Sequence, residues 1–338
     1  MLSHRIIGSF LGALCGSCLG SPYVYMKSED LISISPQIGW TLSPPSGDMS
    51  LCLGAMQSIG RNGVSLESVA RAYCRVVSSS PEDIDLVSSV CFSSPLATLG
   101  AIRDCAASHR FGTLCSNGVL VRQLPLIYAG LDWDDETLMQ VVEEDTMLTH
   151  DDKHVVESTK AFARCLWSIL RGKRRIETWD YLMSQTRDEK VHDCIVSSYF
   201  ERPQCDRSDP TDIDLSLATA LYHYWHDTPF VMALRSSILS GGATDVNAAV
   251  TGALCGASQG SHVVPASWRS EIESPVDETC AWKKRARAAL DTIEEYANRR
   301  ETMGDQSLTR RACAFRAKRF DDSHRFGVLK SSRANRSI

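Results

Sequence analysis

The amino-acid sequence predicts an all-α protein organised around one large helical domain. Apolar residues recur at helical spacing along most of the 338 residues, whereas the alternating segments typical of half-buried strands are scarce. Several helical segments follow a residue that commonly caps a helix, such as Ser65 and Asp134. Loops rich in Pro, Ser, Gly and Asp separate the segments. The predicted helices span 5–20, 48–60, 66–78, 95–109, 118–130, 135–147, 152–171, 214–226, 228–239, 244–259 and 281–298.

The first predicted helix carries four glycines at a four-residue spacing. Gly8, Gly12, Gly16 and Gly20 lie on one helix face and leave it smooth. A smooth face lets a second helix approach closely, so the pattern predicts a buried core helix. The alternative is a secretion signal, because Arg5 precedes an apolar run. No other stretch is long and apolar enough to span a membrane, and we expect no membrane partner.

Charge divides the chain into an acidic body and a basic end. The net charge of −5 argues against nucleic acid as a partner of the whole molecule. Residues 306–338 hold nine Lys and Arg against two Asp and Glu, whereas the rest of the chain carries a balance of −12. We expect a helical domain over 1–270, a C-terminal helix over 271–305 and a flexible basic tail. The tail either attracts an acidic or nucleic-acid partner or is a solvated extension.

Cysteine usage favours a reducing compartment. The thirteen cysteines are odd in number and irregular in spacing, and most stand among apolar or small residues, where free cysteine behaves as a small buried hydrophobe. Cys15 and Cys18 form a CxxC pair, but no second pair follows at the spacing of a zinc site. We therefore expect free thiols and a cytoplasmic or nuclear location.

Three loops end directly before predicted helices. They are 41–47, 112–118 and 240–243, and they supply hydroxyls and backbone N–H groups at a helix N-terminus, where phosphate commonly binds. The glycine patterns of Walker and Rossmann nucleotide sites are missing from the sequence. These loops alone predict only a weakly specified anion or ligand site.

The order and spacing of four blocks resemble the ADP-ribosylglycohydrolase family, which includes the dinitrogenase-reductase-activating glycohydrolases. The blocks are 8–22, 46–50, 117–122 with Pro125 and the later 148–150, and 241–256. The last block, GGATDVNAAVTGALCG, parallels the family's GGDTDTNAAIxGALxG. The resemblance covers about residues 5–270 and implies a compact orthogonal helical bundle. We expect a monomer.

In that family two Mg²⁺ or Mn²⁺ ions assist cleavage of the bond that joins ADP-ribose to a protein side chain. The resemblance implies that Ser46, Asp48 and Asp245 are the metal ligands retained here. Gly47, Ala243 and Val246 replace the remaining ligands, so that two of four carboxylates remain. Divalent ions of this kind need hard, largely anionic oxygen ligands. We therefore expect at most one weakly held ion.

The catalytic acid is also missing from its expected place. Val24 stands where part of the family has a glutamate, and Ser17 stands where the family has an aspartate. The catalytic residues are therefore unknown. A substituted acid remains an alternative, with the candidates Asp151, Asp152 and Glu29.

By the same resemblance the ligand-binding residues would come from the second, third and fourth blocks. They are Ser116, Asn117, Gly118, His150, Gly241 and Gly242. Structural interpretations remain open at several positions. Asp48 and Asp245 are equally well explained as first-turn helix acids, Ser46 as a turn residue, and His150 as a core or capping residue. Arg122 is best explained as the partner of an acid in the core.

Three functions follow as hypotheses. The favoured one is an impaired relative that binds ADP-ribose or ADP-ribosylated protein, because backbone N–H groups can hold a diphosphate without metal. The second is a working hydrolase with a reduced, one-metal site. The third is a non-catalytic interaction protein that uses the basic tail.

Overall fold

The computed structural model describes residues 1–59, 64–79, 84–94, 97–114, 116–203, 209–274 and 280–303. These residues form α-helices and short 3-10 helices and contain no strand, which confirms the predicted all-α fold. They lie almost entirely in one compact unit, Met1–Glu301. The basic tail, 306–338, lies outside the described residues.

The helices follow one another through short connections. In chain order they are α1 Leu2–Gly20, α2 Ser28–Ile34, α3 Gly47–Met56, α4 Leu66–Ser78, α5 Leu86–Phe92, α6 Leu99–His109, α7 Gly118–Arg122, α8 Leu124–Ala129, α9 Asp135–Thr146, α10 Lys153–Leu170, α11 Arg175–Gln185, α12 Glu189–Phe200, α13 Ile213–Trp225, α14 Phe230–Leu239, α15 Thr244–Gln259, α16 Ala266–Glu273 and α17 Ala281–Met303.

Each predicted helix is present, and five others are added: α2, α5, α11, α12 and α16. The predicted helix 118–130 divides into α7 and α8 at Gln123, just before Pro125. Pro125 has no backbone N–H and cannot donate to the carbonyl of Val121 one turn earlier, which explains a break at this point.

The centre of the fold is the antiparallel pair α1 and α15. A Cβ added at Gly12 would lie 2.1 Å from the carbonyl oxygen of Gly252, and one added at Gly16 would lie 2.1 Å from that of Ala248. The glycine stripe therefore lets two helix backbones touch, as the sequence predicted. Among the described residues, Leu2–Tyr23 is the one helical stretch long and apolar enough to cross a membrane, and 83% of its apolar window is buried inside the fold.

The α1–α15 pair also decides which helix ends meet. The C-terminal end of α1 lies beside the N-terminal end of α15, where the Thr244 hydroxyl donates to the carbonyl of Gly20 at 2.8 Å. The backbone N–H of Ser43 donates to the carbonyl of Cys18 at 3.2 Å, which brings the chain before α3 to the same place. The N-termini of α3 and α15 therefore share one end of the bundle.

A buried arginine fixes the helices beneath this end. Arg122 Nε donates to Asp145 at 3.0 Å, and its terminal nitrogen donates to the Thr149 hydroxyl at 2.9 Å. Gln123 and Tyr73 donate to the same Asp145 carboxylate at 2.7 and 3.1 Å. Because the ion pair is buried and its hydrogen bonds are satisfied, it holds α4, α7 and α9 in one arrangement. The expected core pairing of Arg122 with an acid is confirmed.

A second charged cluster joins α10, α12 and α13. His154 contacts the carboxylates of Asp214 at 2.8 Å and Asp188 at 3.3 Å. Ser158 donates to Asp214 at 3.1 Å. The hydrogen bond with Asp214 is the main reason that the pKa of His154 rises to about 9, so the imidazole is cationic at neutral pH.

The C-terminal helix α17 packs on the same unit. The Tyr296 hydroxyl donates to the carbonyl of Tyr128 at 2.7 Å, and Glu301 accepts from the Met1 amine at 2.8 Å. Its apolar side is buried, as Leu290 illustrates. The helix is thus part of the compact unit rather than a separate appendage.

Candidate functional site

The site predicted from the four blocks lies where the N-termini of α3, α7 and α15 meet. Ser46 caps α3, Asp48 stands in its first turn, Asp245 stands in the first turn of α15, and Gly118 begins α7. These residues are far apart in sequence, and the α1–α15 pairing gathers them. Helix N-termini carry a partial positive charge and unpaired N–H groups, so such a junction attracts anions.

The hydroxyl of Ser46 is engaged within the protein. It accepts from the backbone N–H of Met49 at 3.3 Å, which is a helix N-cap. It also lies 3.0 Å from the hydroxyl of Ser17, and Ser17 in turn accepts from the backbone N–H of Ser46 at 3.0 Å. Both side chains are buried. The pair occupies the place where the family pattern has a threonine and an aspartate.

The carboxylate of Asp48 packs closely against Gly118, at the end of the predicted ligand-binding loop (the ligand loop). A Cβ added at Gly118 would lie 2.4 Å from the carboxyl carbon and both carboxylate oxygens of Asp48. Asp48 as a whole keeps partial exposure. Burial raises the pKa of Asp48 well above its usual range, Asp85 and Asp245 raise it further, and Arg122 lowers it.

Asp85 is a site residue that the sequence analysis missed. Its side chain accepts from the backbone N–H of Ser88 at 2.8 Å and so caps α5. Its charge also acts on Asp48 and, more weakly, on His150, which places it at the edge of the same site. An aspartate before a short helix is an N-cap signal, but nothing in the sequence says which cleft that cap faces.

The predicted ligand loop is held rigidly from beneath. The backbone N–H of Asn117 donates to the carbonyl of Thr211 at 3.1 Å, and the Ser116 hydroxyl donates to the same carbonyl at 3.4 Å. The Asn117 amide donates to Ser216 at 3.1 Å, and Ser216 donates to Asn247 at 2.5 Å. Ser116 and Asn117 are buried. A chain of hydrogen bonds thus ties the third block to the fourth.

His150 lies under the same loop. Its Nε2 is 2.8 Å from the carbonyl of Leu114, and its Nδ1 is 2.9 Å from the Thr149 hydroxyl. Burial lowers the pKa of His150, so the ring is neutral at physiological pH. The ring supports the 112–118 segment. Its predicted role in ligand binding stays a prediction.

Gly241 and Gly242 form the turn before α15. Both have positive φ, at 81° and 76°, a conformation that glycine adopts at little cost. Their N–H groups donate to the carbonyls of Ile238 and Met26, at 3.0 and 3.3 Å. The turn directly precedes the N-terminus of α15, and both of its N–H groups are hydrogen-bonded within the protein. Their predicted ligand contacts also stay predictions.

The number of metal ions that this junction holds stays a prediction. The Ser46 hydroxyl caps a helix, and burial raises the pKa of Asp48. Across the described part of the chain, no three His, Cys, Asp or Glu side chains are arranged to hold a metal ion together.

The alternative acids Asp151, Asp152 and Glu29 stand outside the N-terminal turns of α3, α7 and α15. Asp151 and Asp152 line an open cavity of about 550 Å³ together with Arg110, Gly112 and Lys153. Asp152 also caps α10, accepting from the backbone N–H of His154 and Val155 at 2.9 and 3.2 Å. Glu29 is exposed in the first turn of α2.

Comparison with known proteins agrees with this geometry. The family model described as ADP-ribosylglycohydrolase matches residues 1–307. A curated relative, a putative ADP-ribosyl glycohydrolase of Acanthamoeba polyphaga mimivirus, is 24% identical over 309 residues, covering 80% of this chain and 92% of that protein. A solved structure described as an ADP-ribosylglycohydrolase-related protein complex superimposes with a TM-score of 0.66 at 20% identity, covering 88% of this chain and 99% of the other.

The structural match supports the fold, and the family match spans most of the sequence, including all four blocks. By its sequence and its helical architecture, this chain belongs to the ADP-ribosylglycohydrolase family.

Proposed function

We propose that this protein binds ADP-ribose, or protein carrying ADP-ribose, at the junction of α3, α7 and α15, and that it hydrolyses the glycosidic bond poorly or not at all. The observation that carries this proposal is a difference between two parts of the site. The ligand half is formed by the predicted ligand-binding loop with Ser116 and Asn117, and the catalytic half by Ser46, Asp48 and Asp245. The ligand loop is buried and hydrogen-bonded into place, whereas the residues retained from the metal site are engaged or crowded.

The ligand half includes the N-terminus of α15, whose partial positive charge favours an anionic diphosphate. Backbone N–H groups and hydroxyls at helix N-termini can hold phosphate oxygens without a metal ion. The anchoring of Asn117 to Ser216 fixes the loop before a ligand arrives, which reduces the entropy lost on binding.

The catalytic half lacks the charge that the family's chemistry requires. Two carboxylates, Asp48 and Asp245, leave two divalent ions incompletely neutralised. We therefore propose that metal binding is limited to one weakly held Mg²⁺ or Mn²⁺ and that ligand binding does not depend on it.

Titration calorimetry with ADP-ribose, in Mg²⁺ and separately in EDTA, tests the binding proposal. We expect similar affinity in both buffers, because the loop contacts need no metal. Asn117→Ala should weaken binding by about tenfold or more, since the Asn117 side chain anchors the loop, whereas Asn298→Ala on exposed α17 should leave it unchanged. Thermal unfolding of each variant checks that it is folded. Equal affinity of wild type and Asn117→Ala would contradict the assignment of the loop.

Hydrolysis is tested separately by release of ADP-ribose from modified arginine and serine peptides. We expect no metal-dependent release above background. Release that disappears in Asp48→Ala or Asp245→Ala would refute the proposed impairment and favour the one-metal hydrolase. Restoring the family's ligands with Gly47→Asp, Ala243→Asp and Val246→Thr together should raise Mn²⁺ affinity in a direct metal titration, because two further carboxylates then face the ions.

A further inference from the structure

Two free thiols, Cys91 on α5 and Cys105 on α6, lie where these two helices pack together. The Cys105 thiol lies 3.7 Å from the carbonyl oxygen of Val90, the residue before Cys91. The two cysteine side chains also lie close enough for their charges to interact. Both are free cysteines, and they come from helices that pack together. Close approach of two thiols on adjacent helices is the arrangement that a disulfide needs.

The two thiols differ in access to solvent. Cys105 is partly exposed, and the ring nitrogen Nδ1 of His109 lies 3.8 Å from its sulfur. Cys91 is buried, and burial is the main reason that the pKa of Cys91 rises to about 12. A soluble oxidant therefore meets Cys105 first, while Cys91 stays a protected thiol behind it.

We propose that Cys91 and Cys105 are an oxidation site, at which a hydroperoxide converts the two thiols into a disulfide between α5 and α6. The sulfur of Cys105 attacks one peroxide oxygen, the O–O bond breaks, and a sulfenic acid and one water form. The sulfur of Cys91 then attacks the sulfenic sulfur, the S–O bond breaks, and a second water leaves with the proton of Cys91. Two thiols lose two electrons and two protons, and hydrogen peroxide is reduced to two waters.

A Cys91–Cys105 disulfide would restrict the position of α5, which contributes charge and packing to the candidate site. Helix α5 begins after Asp85, whose charge acts on Asp48, and it ends at Phe92, whose ring faces the guanidinium of Arg122 at 5.4 Å. A covalent bond to α6 would hold α5 in this position. The inference rests on the thiol geometry and does not depend on the proposed ligand.

Peptide mapping of the full-length protein gives a direct test. Trypsin cleaves after Arg75, Arg103 and Arg110, so that Cys91 and Cys105 fall in separate peptides, 76–103 and 104–110, with one cysteine each. After mild hydrogen peroxide and alkylation of the remaining thiols, non-reducing mass spectrometry should find these peptides joined, at a mass two hydrogens below their sum. Dithiothreitol should release both.

Two variants make the result specific. Cys105→Ser should abolish the joined species, whereas Cys280→Ser, at another partly exposed thiol, should leave it unchanged. Thermal unfolding under reducing conditions checks that both variants are folded. The proposal is overturned if Cys105 is recovered as sulfinic acid, joined to another cysteine or still alkylated while peroxide is consumed elsewhere in the protein.

Discussion

Gly12→Ala places one methyl group between the two central helices. The new Cβ would lie 2.1 Å from the carbonyl oxygen of Gly252, whereas ordinary van der Waals contact begins near 3.4 Å. Helices α1 and α15 would therefore have to separate by about 1.3 Å at this point, and the contacts at Gly16 and Ala248 would loosen with them. Because the obstacle is backbone, no side-chain rotation relieves it. Overpacking in a core typically costs about 1–3 kcal/mol, and we expect the upper end here, about 3 kcal/mol.

Thermal unfolding followed by circular dichroism measures the effect. At roughly 2–4 °C per kcal/mol for a domain of this size, the melting temperature should fall by about 6–12 °C. Gly100→Ala is the matched control, because a Cβ at Gly100 meets nothing within 4 Å, and alanine is the better helix former. A Gly12→Ala protein that melts within about 2 °C of wild type would refute the close packing of α1 on α15.

Two further predictions concern buried and half-buried charges. Because its hydrogen bond with Asp214 raises the pKa of His154 to about 9, above an ordinary value near 6.5, the folded protein holds a proton that the unfolded chain releases. This stabilisation, at most about 3 kcal/mol, is complete below about pH 6.5 and is lost as pH rises toward 9. Urea denaturation across that range should show a smaller loss of stability in His154→Gln than in wild type, and parallel losses would exclude the ion pair as the cause. Arg122→Met should cost about 3–5 kcal/mol in the same assay, because Asp145 stays buried without its cation. Arg71→Met, which breaks only an exposed pair, should cost less than about 1 kcal/mol, and equal losses in the two arginine variants would contradict the burial argument.

Helix prediction succeeded where the sequence itself marks the helix. Glycine spacing defined α1, and Thr244 and Asp245 together with small residues defined the start of α15. Helix prediction failed for α11 and α12, although Asp188 caps the N-terminus of α12 and the Glu177 side chain accepts from the backbone N–H of Arg174 at the start of α11. Both helices bury only a few side chains. A narrow apolar stripe gives a weak periodic signal, and contacts with the rest of the protein supply most of such a helix's stability.

The candidate site was predicted in composition but not in geometry. The sequence named Ser46, Asp48 and Asp245, and the structure places them at one junction of helix ends. The sequence did not reveal that the Ser17 hydroxyl would hydrogen-bond with the Ser46 hydroxyl. Nor did it reveal that the charge of Asp85 acts on Asp48, because that interaction relates segments that pattern and spacing do not connect. Side-chain partners depend on the path of the whole chain, which local sequence does not encode.

Family membership and the helical class follow from the amino-acid sequence itself. Gly47 and Ala243 offer no carboxylate in any conformation, so that part of the proposed metal-site deficit also follows from sequence alone. Tertiary structure decided the rest. The backbone contact of α1 with α15 brings the helix ends together, and packing supplies the burial and the neighbouring charges of Asp85 and Asp245 that raise the pKa of Asp48. Electrostatic interactions depend on distance and on nearby water, and both are fixed when the chain has packed.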